Sequence, residues 1–229
     1  MDPDQLYRVR HSLSHLLAMA VLEVFPEAKL AIGPPIDTGF YYDFDLPRSV
    51  TPEDLANLQQ RIERLAAENL AFTSREVGSE EAVTLVEGQP YKRELLDELT
   101  KAGEAVTFYT SGSFTDLCKG PHVASTAEIP TGSFALSHAA GAYWRGDEKR
   151  PMLQRIYGLA FESSEALQAY QTMLEEAKRR DHRKLGAELD LFTFSDLVGS
   201  GLPLWTPKGN SMRLTLDAFV WELRKAAGY

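Results

Sequence analysis

Three of the five histidines and the only cysteine of this 229-residue chain fall into two short stretches. These are the side chains able to exchange protons or bind a soft metal near neutral pH. His11 and His15 stand four apart in RHSLSHLLA. On a helix, that spacing puts one imidazole a turn above the other on the same face. The second stretch, FTDLCKGPH, holds Asp116, Cys118, Lys119 and His122. Asp116 and Cys118 alternate onto one face of a strand. Gly120 and Pro121 then turn the chain so that His122 returns toward the thiol. The combined H-x-x-x-H and C-x-x-x-H set suits zinc. It equally suits a polar pocket with acid–base capacity and no metal. From the residues alone both stay open. The glutamate of H-E-x-x-H is missing, which excludes that metalloprotease motif.

Plainer roles compete with these. A lone cysteine is commonly a small buried hydrophobe, and a histidine after Gly-Pro can cap a turn. His138 and His182 have no partner by spacing and read as a sheet or loop residue and a solvated helix residue. Lys92, in YKRELL, reads as a solvated helix residue too.

The elements that must position these groups follow from periodicity and capping. A first helix is expected from about Leu6 to Val24, with Leu13, Leu16, Leu17, Ala20, Val21 and Val24 in one apolar stripe. The stripe leaves the histidines on another side, together with Ala18 and Leu22, as in a pocket wall. A turn-rich AIGPPIDTG leads into an aromatic strand, FYYDFD. Thr51, Pro52, Glu53 and Asp54 then form a strong helix start, with Leu55, Leu58, Ile62 and Leu65 as its buried face. A short strand, FTSREV, precedes two helical pieces on either side of Gly88, the second ending near Gly103. Between Ala105 and Phe161, β-rich runs broken by Gly and Pro predict an antiparallel sheet. Helices first and strands later, without βαβ alternation, predict an α+β fold with helices packed on an antiparallel β-sheet. One long helix is expected from about Glu165 to Glu188. A loop-like stretch and an amphipathic helix through Met212, Leu216, Phe219, Val220 and Leu223 follow, too short to enclose a core of their own.

Composition narrows the function. With 44% apolar and 25% charged residues, the chain is an ordinary globular one. A formal charge of −9 argues against a general nucleic-acid coater or a polybasic membrane binder. The acidity is uneven: residues 51–106 hold six basic and twelve acidic side chains, whereas Lys178 to Lys184 holds five basic and one acidic. A local phosphate contact stays open there, against the plainer reading of a solvated helix face. One cysteine forms no internal disulfide, no stretch has the ~20 apolar residues of a membrane span, and MDPDQLYRVRHSLSH lacks the apolar core of a secretory signal. A cytoplasmic location is the expectation.

RHSLSHLLA, AIGPPIDTGFYYDFDL, YKRELL, FTDLCKGPHV, AGAYWRGD, LQRIYGLAF and EEAKRRDHRKLGAELDLF together resemble, in the same order, stretches of the bacterial threonyl-tRNA synthetase family. The similarity spans nearly the whole chain. It implies an editing domain over residues 1–161, a linker helix over 162–188, and over 189–229 the opening of a class II aminoacylation domain, with Pro207 to Tyr229 as the helical part of its first signature motif. It further implies hydrolysis of mischarged Ser-tRNA(Thr), with no aminoacylation expected because ATP, Mg and the catalytic zinc belong to a core the chain lacks. Carried onto matching positions, His11, Lys92 and Asp116 would be catalytic, and His15, Cys118 and His122 would hold the seryl group. Arg145, Lys149 and Arg150, with the basic end of the linker helix, would meet the tRNA 3′ end. No metal is expected for editing, although the related alanyl editing domains use zinc, for which the set would be His11, His15, Cys118 and His122. The full-length family pairs through its core, so this piece is expected to be monomeric or weakly associated. A non-catalytic tRNA-binding role is the remaining alternative.

Overall fold

The computed structural model describes residues 1–199 and 201–229, which form two compact units, 1–168 and 169–229.

In the first unit, helix α1 (Pro3–Val24) begins three residues before the expected start. Asp2 caps it by accepting the Gln5 N–H at 2.8 Å, and Pro3 occupies the first turn, where no N–H is needed. Leu13, Leu16 and Leu17 are fully buried, which stabilises the fold by about 2 kcal/mol per side chain. The short strands β1 (Lys29–Leu30) and β2 (Pro35–Ile36) both pair with β3 (Gly39–Asp45), the aromatic FYYDFD run. Helix α2 (Pro52–Ala67) starts in the expected capping box, Thr51 and Asp54 exchanging side-chain and backbone bonds. It buries Leu58, Ile62 and Leu65 against α1, while Leu55 is only half-buried.

The β-rich region does not form one sheet. Strand β5 (Thr107–Ser111) pairs with β4 (Thr73–Glu76) on one side and with β6 (Phe114–Leu117) on the other, in a three-stranded antiparallel sheet. Strands β7 (Phe134–Tyr143) and β8 (Met152–Ala160) instead join β3, giving the order β1-β3-β8-β7. Helix α3 (Ser79–Leu85) and helix α4 (Pro90–Ala102) lie on either side of Gly88, and α4 ends on Gly103 at φ 68°, a left-handed C-cap that glycine adopts without strain. Helix α1 packs on α2, β3 and β8, so its histidine-bearing turns are fixed from several sides. The α+β reading holds.

Helix α5 (Ser164–Arg179) starts within the first unit and continues into the second. The single helix expected to Glu188 is broken: Asp181 has φ −56° and ψ 120°, and its carboxylate caps α6 (His182–Glu188) by accepting the Arg183 N–H at 2.8 Å. An aspartate makes a better cap than helix interior, because its short side chain competes for backbone donors. Strands β9 (Phe192–Thr193) and β10 (Leu204–Trp205) form a small hairpin, and α7 (Pro207–Ala226) leaves Leu216, Phe219 and Leu223 exposed. Among the described residues, no helix is long and apolar enough to cross a membrane.

Candidate active site

The two sequence clusters meet. Cys118 lies just past the end of β6, and its Sγ stands 3.3 Å from His11 Nε2 and 3.4 Å from His122 Nε2. The His122 ring centroid is 4.1 Å from that of His11 and 4.3 Å from that of His15. All three histidines are buried. Gly120 makes the return of His122 feasible. It sits at φ 70°, and a side chain there would collide with the Tyr109 ring. Its N–H donates to Cys118 Sγ at 3.3 Å. His11 Nδ1–H donates to the Pro121 carbonyl at 3.1 Å, the helix thereby gripping the turn directly. Phe72 stacks on His122 at 5.0 Å and Phe114 meets His15 edge-on at 5.7 Å, giving the cluster an aromatic wall.

Beside the imidazoles lies a buried ion pair. Lys92 Nζ, from α4, is 2.7 Å from Asp116 Oδ1 and 2.8 Å from Oδ2, and each residue is only 4% exposed. Tyr42 from β3 donates its hydroxyl to Asp116 Oδ2 at 2.7 Å, and His15 Nε2 approaches the same oxygen at 3.9 Å. Burying a charge is tolerable only when it is paired and hydrogen-bonded, as here.

Burial sets the protonation of the rest. It lowers the pKa of His11, partly opposed by the bond to Pro121, and pushes His15 and His122 well below the ordinary imidazole value. The Cys118 thiol is raised to about 11 by burial, and the Tyr42 phenol lies well above its ordinary value for the same reason, reinforced by Asp116. At neutral pH the site therefore holds neutral imidazoles and a neutral thiol around one internal ion pair. Neutral imidazoles with a free ring nitrogen are proton acceptors, the property a general base needs. An apolar cleft of about 340 Å³ between α4 and the β5–β6 strands, lined by Leu95, Leu99, Ala102 and Leu117, reaches Cys118.

Residues 106–157 match the family described as the threonyl and alanyl tRNA synthetase second additional domain. The threonine–tRNA ligase of Gloeobacter violaceus is 52% identical over 230 residues, covering 100% of this chain and 36% of that protein. That of Dehalococcoides mccartyi is 52% identical over 221 residues, 96% of this chain and 37% of the relative. That of Rubrobacter xylanophilus is 48% identical over 229 residues, 100% of this chain and 35% of the relative. The chain is homologous to part of the threonine–tRNA ligases. It spans little more than a third of these relatives' length.

Six residues named from the sequence thus come together: His11, His15, Lys92, Asp116, Cys118 and His122. Lys92 is the one whose solvated reading fails. It lies on the same face of α4 as Leu95, Leu96 and Leu99, and that stripe was the available signal. Tyr42 and Ser12 were missed. Tyr42 alternates with Phe40 and Phe44 on the buried face of β3, where its hydroxyl needs a partner. Ser12, fully buried, accepts the Val123 N–H at 3.1 Å and lies 3.1 Å from His122 Nδ1.

Most of the side chains expected to meet the tRNA 3′ end carry carboxylate partners of their own. Arg145 pairs with Glu94 at 3.0 Å and Glu98 at 2.7 Å, and Arg150 pairs with Glu94 at 2.8 Å, so acidic α4 neutralises both. Lys149 is exposed. Along the basic run, Arg179, Arg180, Arg183 and Lys184 each face a carboxylate within 4 Å.

The four-residue donor set does fit zinc. One ligand atom from each of His11, His15, Cys118 and His122 falls within 4.8 Å of every other. A tetrahedral zinc site has N–S edges of about 3.6 Å by ordinary bond lengths, close to the two Cys–His separations. Bound there, zinc would supply Lewis acidity and a more acidic water.

Proposed function

We propose that the first unit hydrolyses mischarged Ser-tRNA(Thr) in the cytoplasm, the tRNA(Thr) 3′ end being its macromolecular partner. The observation that supports this best is the meeting of His11, His15, Cys118 and His122 in one buried cluster beside the Lys92–Asp116 pair. Such a step is chemically necessary, because a synthesis site built for threonine gains only ~1–3 kcal/mol against serine from one methyl group. A second pocket too small for that methyl supplies the rest.

In this reading His11 takes a proton from water as its oxygen adds to the ester carbonyl. Asp116 and Lys92 position that water, and Lys92 steadies the tetrahedral oxyanion. Collapse breaks the acyl C–O bond. The departing 3′ oxygen of the terminal adenosine recovers the proton, and serine leaves. His15, Cys118 and His122 surround the seryl group.

The test is deacylation of Ser-tRNA(Thr) and Thr-tRNA(Thr) by the full chain, with and without chelator. Serine-selective release that survives chelation and is lost in His11→Ala supports the reading. RNA binding without turnover would replace it with a non-catalytic module. A second reading, a zinc-dependent alanyl-type deacylase, is favoured by the fit of the donor set. Stoichiometric zinc, and activity abolished by chelation, would select it.

A further inference from the structure

Ser12 has no part in the chemistry above, yet it is fully buried on α1 and its Oγ lies between the Val123 N–H and His122 Nδ1, 3.1 Å from each. The surrounding contacts fix where each proton must lie. The Pro121 carbonyl can only accept, so the proton of neutral His11 is on Nδ1 and its Nε2 is a bare lone pair. That lone pair faces Cys118 Sγ at 3.3 Å, so the single S–H points to His11. Sulfur then offers His122 Nε2, at 3.4 Å, only lone pairs. For that contact to be attractive, His122 must carry its proton on Nε2. Its Nδ1 is left bare and needs a donor, and the Ser12 hydroxyl, whose oxygen already accepts from Val123, provides it.

We propose that Ser12 is a positioning residue that locks His122 as the Nε2–H tautomer, opposite to His11, so that His11 presents an acceptor and His122 a donor to the same small volume beside Cys118. The directed chain runs from Val123 N–H through Ser12, His122, Cys118 and His11 to the Pro121 carbonyl. Both ends are backbone groups flanking His122, and no member has a second way to satisfy all its neighbours. For the hydrolytic role, which rests on the proposed function, this divides the work once water and substrate displace the two contacts with Cys118: His11 then accepts the proton of the attacking water, and His122 donates a hydrogen bond to substrate oxygen.

The experiment is nitrogen-15 NMR of histidine-labelled, chelator-treated full chain, with signals assigned by single replacements and compared with Ser12→Ala and Ser12→Thr. The expected wild-type result is Nδ1–H for His11 and Nε2–H for His122. In Ser12→Ala the His122 signal should shift toward a mixture while His11 is unchanged, and Ser12→Thr, which keeps the hydroxyl, should restore it. His122 protonated on Nδ1 in the wild type would overturn the assignment, whether or not either variant folds. In deacylation, Ser12→Ala should lower kcat about tenfold with KM nearly unchanged. A released tautomer with unaltered kcat would overturn the positioning role. Opposite tautomers in a wild type that never deacylates Ser-tRNA(Thr) would overturn the proposed function and leave the proton assignment standing.

Discussion

Replacing Lys92 with methionine removes the positive partner of Asp116 while keeping most of the side-chain volume. Two charge-assisted contacts, at 2.7 and 2.8 Å, disappear, and the carboxylate, 4% exposed, retains the Tyr42 hydroxyl as its one close partner. Breaking a buried pair from one side typically costs about 3–5 kcal/mol, because the remaining charge stays desolvated. Lys92→Met should therefore lose that much stability, whereas Lys92→Met/Asp116→Asn should recover about 2–3 kcal/mol. The amide oxygen still accepts from Tyr42, and no charge remains to be solvated. The assay is urea unfolding followed by Trp144 fluorescence. Trp144 is the one tryptophan of residues 1–168 and is buried, so Trp205→Phe and Trp221→Phe in the background isolate the first unit. Equal slopes against urea would license the comparison. A loss below about 1 kcal/mol in the single variant, or a double variant no more stable than it, would refute the reasoning that the interior holds an obligatory ion pair.

Gly120→Ala would force a side chain into the Tyr109 ring at φ 70°. It should cost more than 1 kcal/mol in the same unfolding assay and disperse the His122 signals. Iodoacetamide should modify Cys118 slowly at pH 8, the rate climbing about tenfold per pH unit until about 11, where burial has moved the thiol. A rate already level by pH 9 would contradict that. The Arg48 guanidinium and Thr51 backbone hold Asp54 well below the usual carboxylate range. Its contribution to folding is thus complete above the ordinary carboxylate pKa of about 4 and fades as pH falls toward the depressed folded value. Asp54→Asn should flatten that part of the acid limb, measured by thermal melts against pH. If RNA binds, the log–log salt slope should correspond to fewer than about three phosphates, since Arg145 and Arg150 are already paired within the protein.

Local signals told most about the fold. Thr51, Pro52 and Asp54 announce α2, Gly103 ends α4, and the His11–His15 and Cys118–His122 spacings point at the site because four-residue steps on a helix and around a Gly-Pro turn have few geometric outcomes. What was illegible depends on distant pairing. Nothing near Thr107 tells it to join Thr73–Glu76 while Gln154 joins β3. Asp181 was hidden within a run read for its positive charge. Lys92 reads as solvated by residue type, and only its three-, four- and seven-residue spacing from Leu95, Leu96 and Leu99 points inward. Tyr42 and Ser12 sit among buried neighbours, and their hydroxyls acquire a role only when a carboxylate and an imidazole arrive from far along the chain.

That arrival has a biosynthetic consequence. Ser12 and His122 are 110 positions apart, and Tyr42, Lys92 and Asp116 enter in between. A nascent polypeptide leaving the ribosome can wind this helix at once, yet it does not assemble the histidine–cysteine cluster until the Gly-Pro turn has emerged and docked. Any hydrolytic competence is then a late, all-or-none property, and its onset during translation would time the closing of the domain.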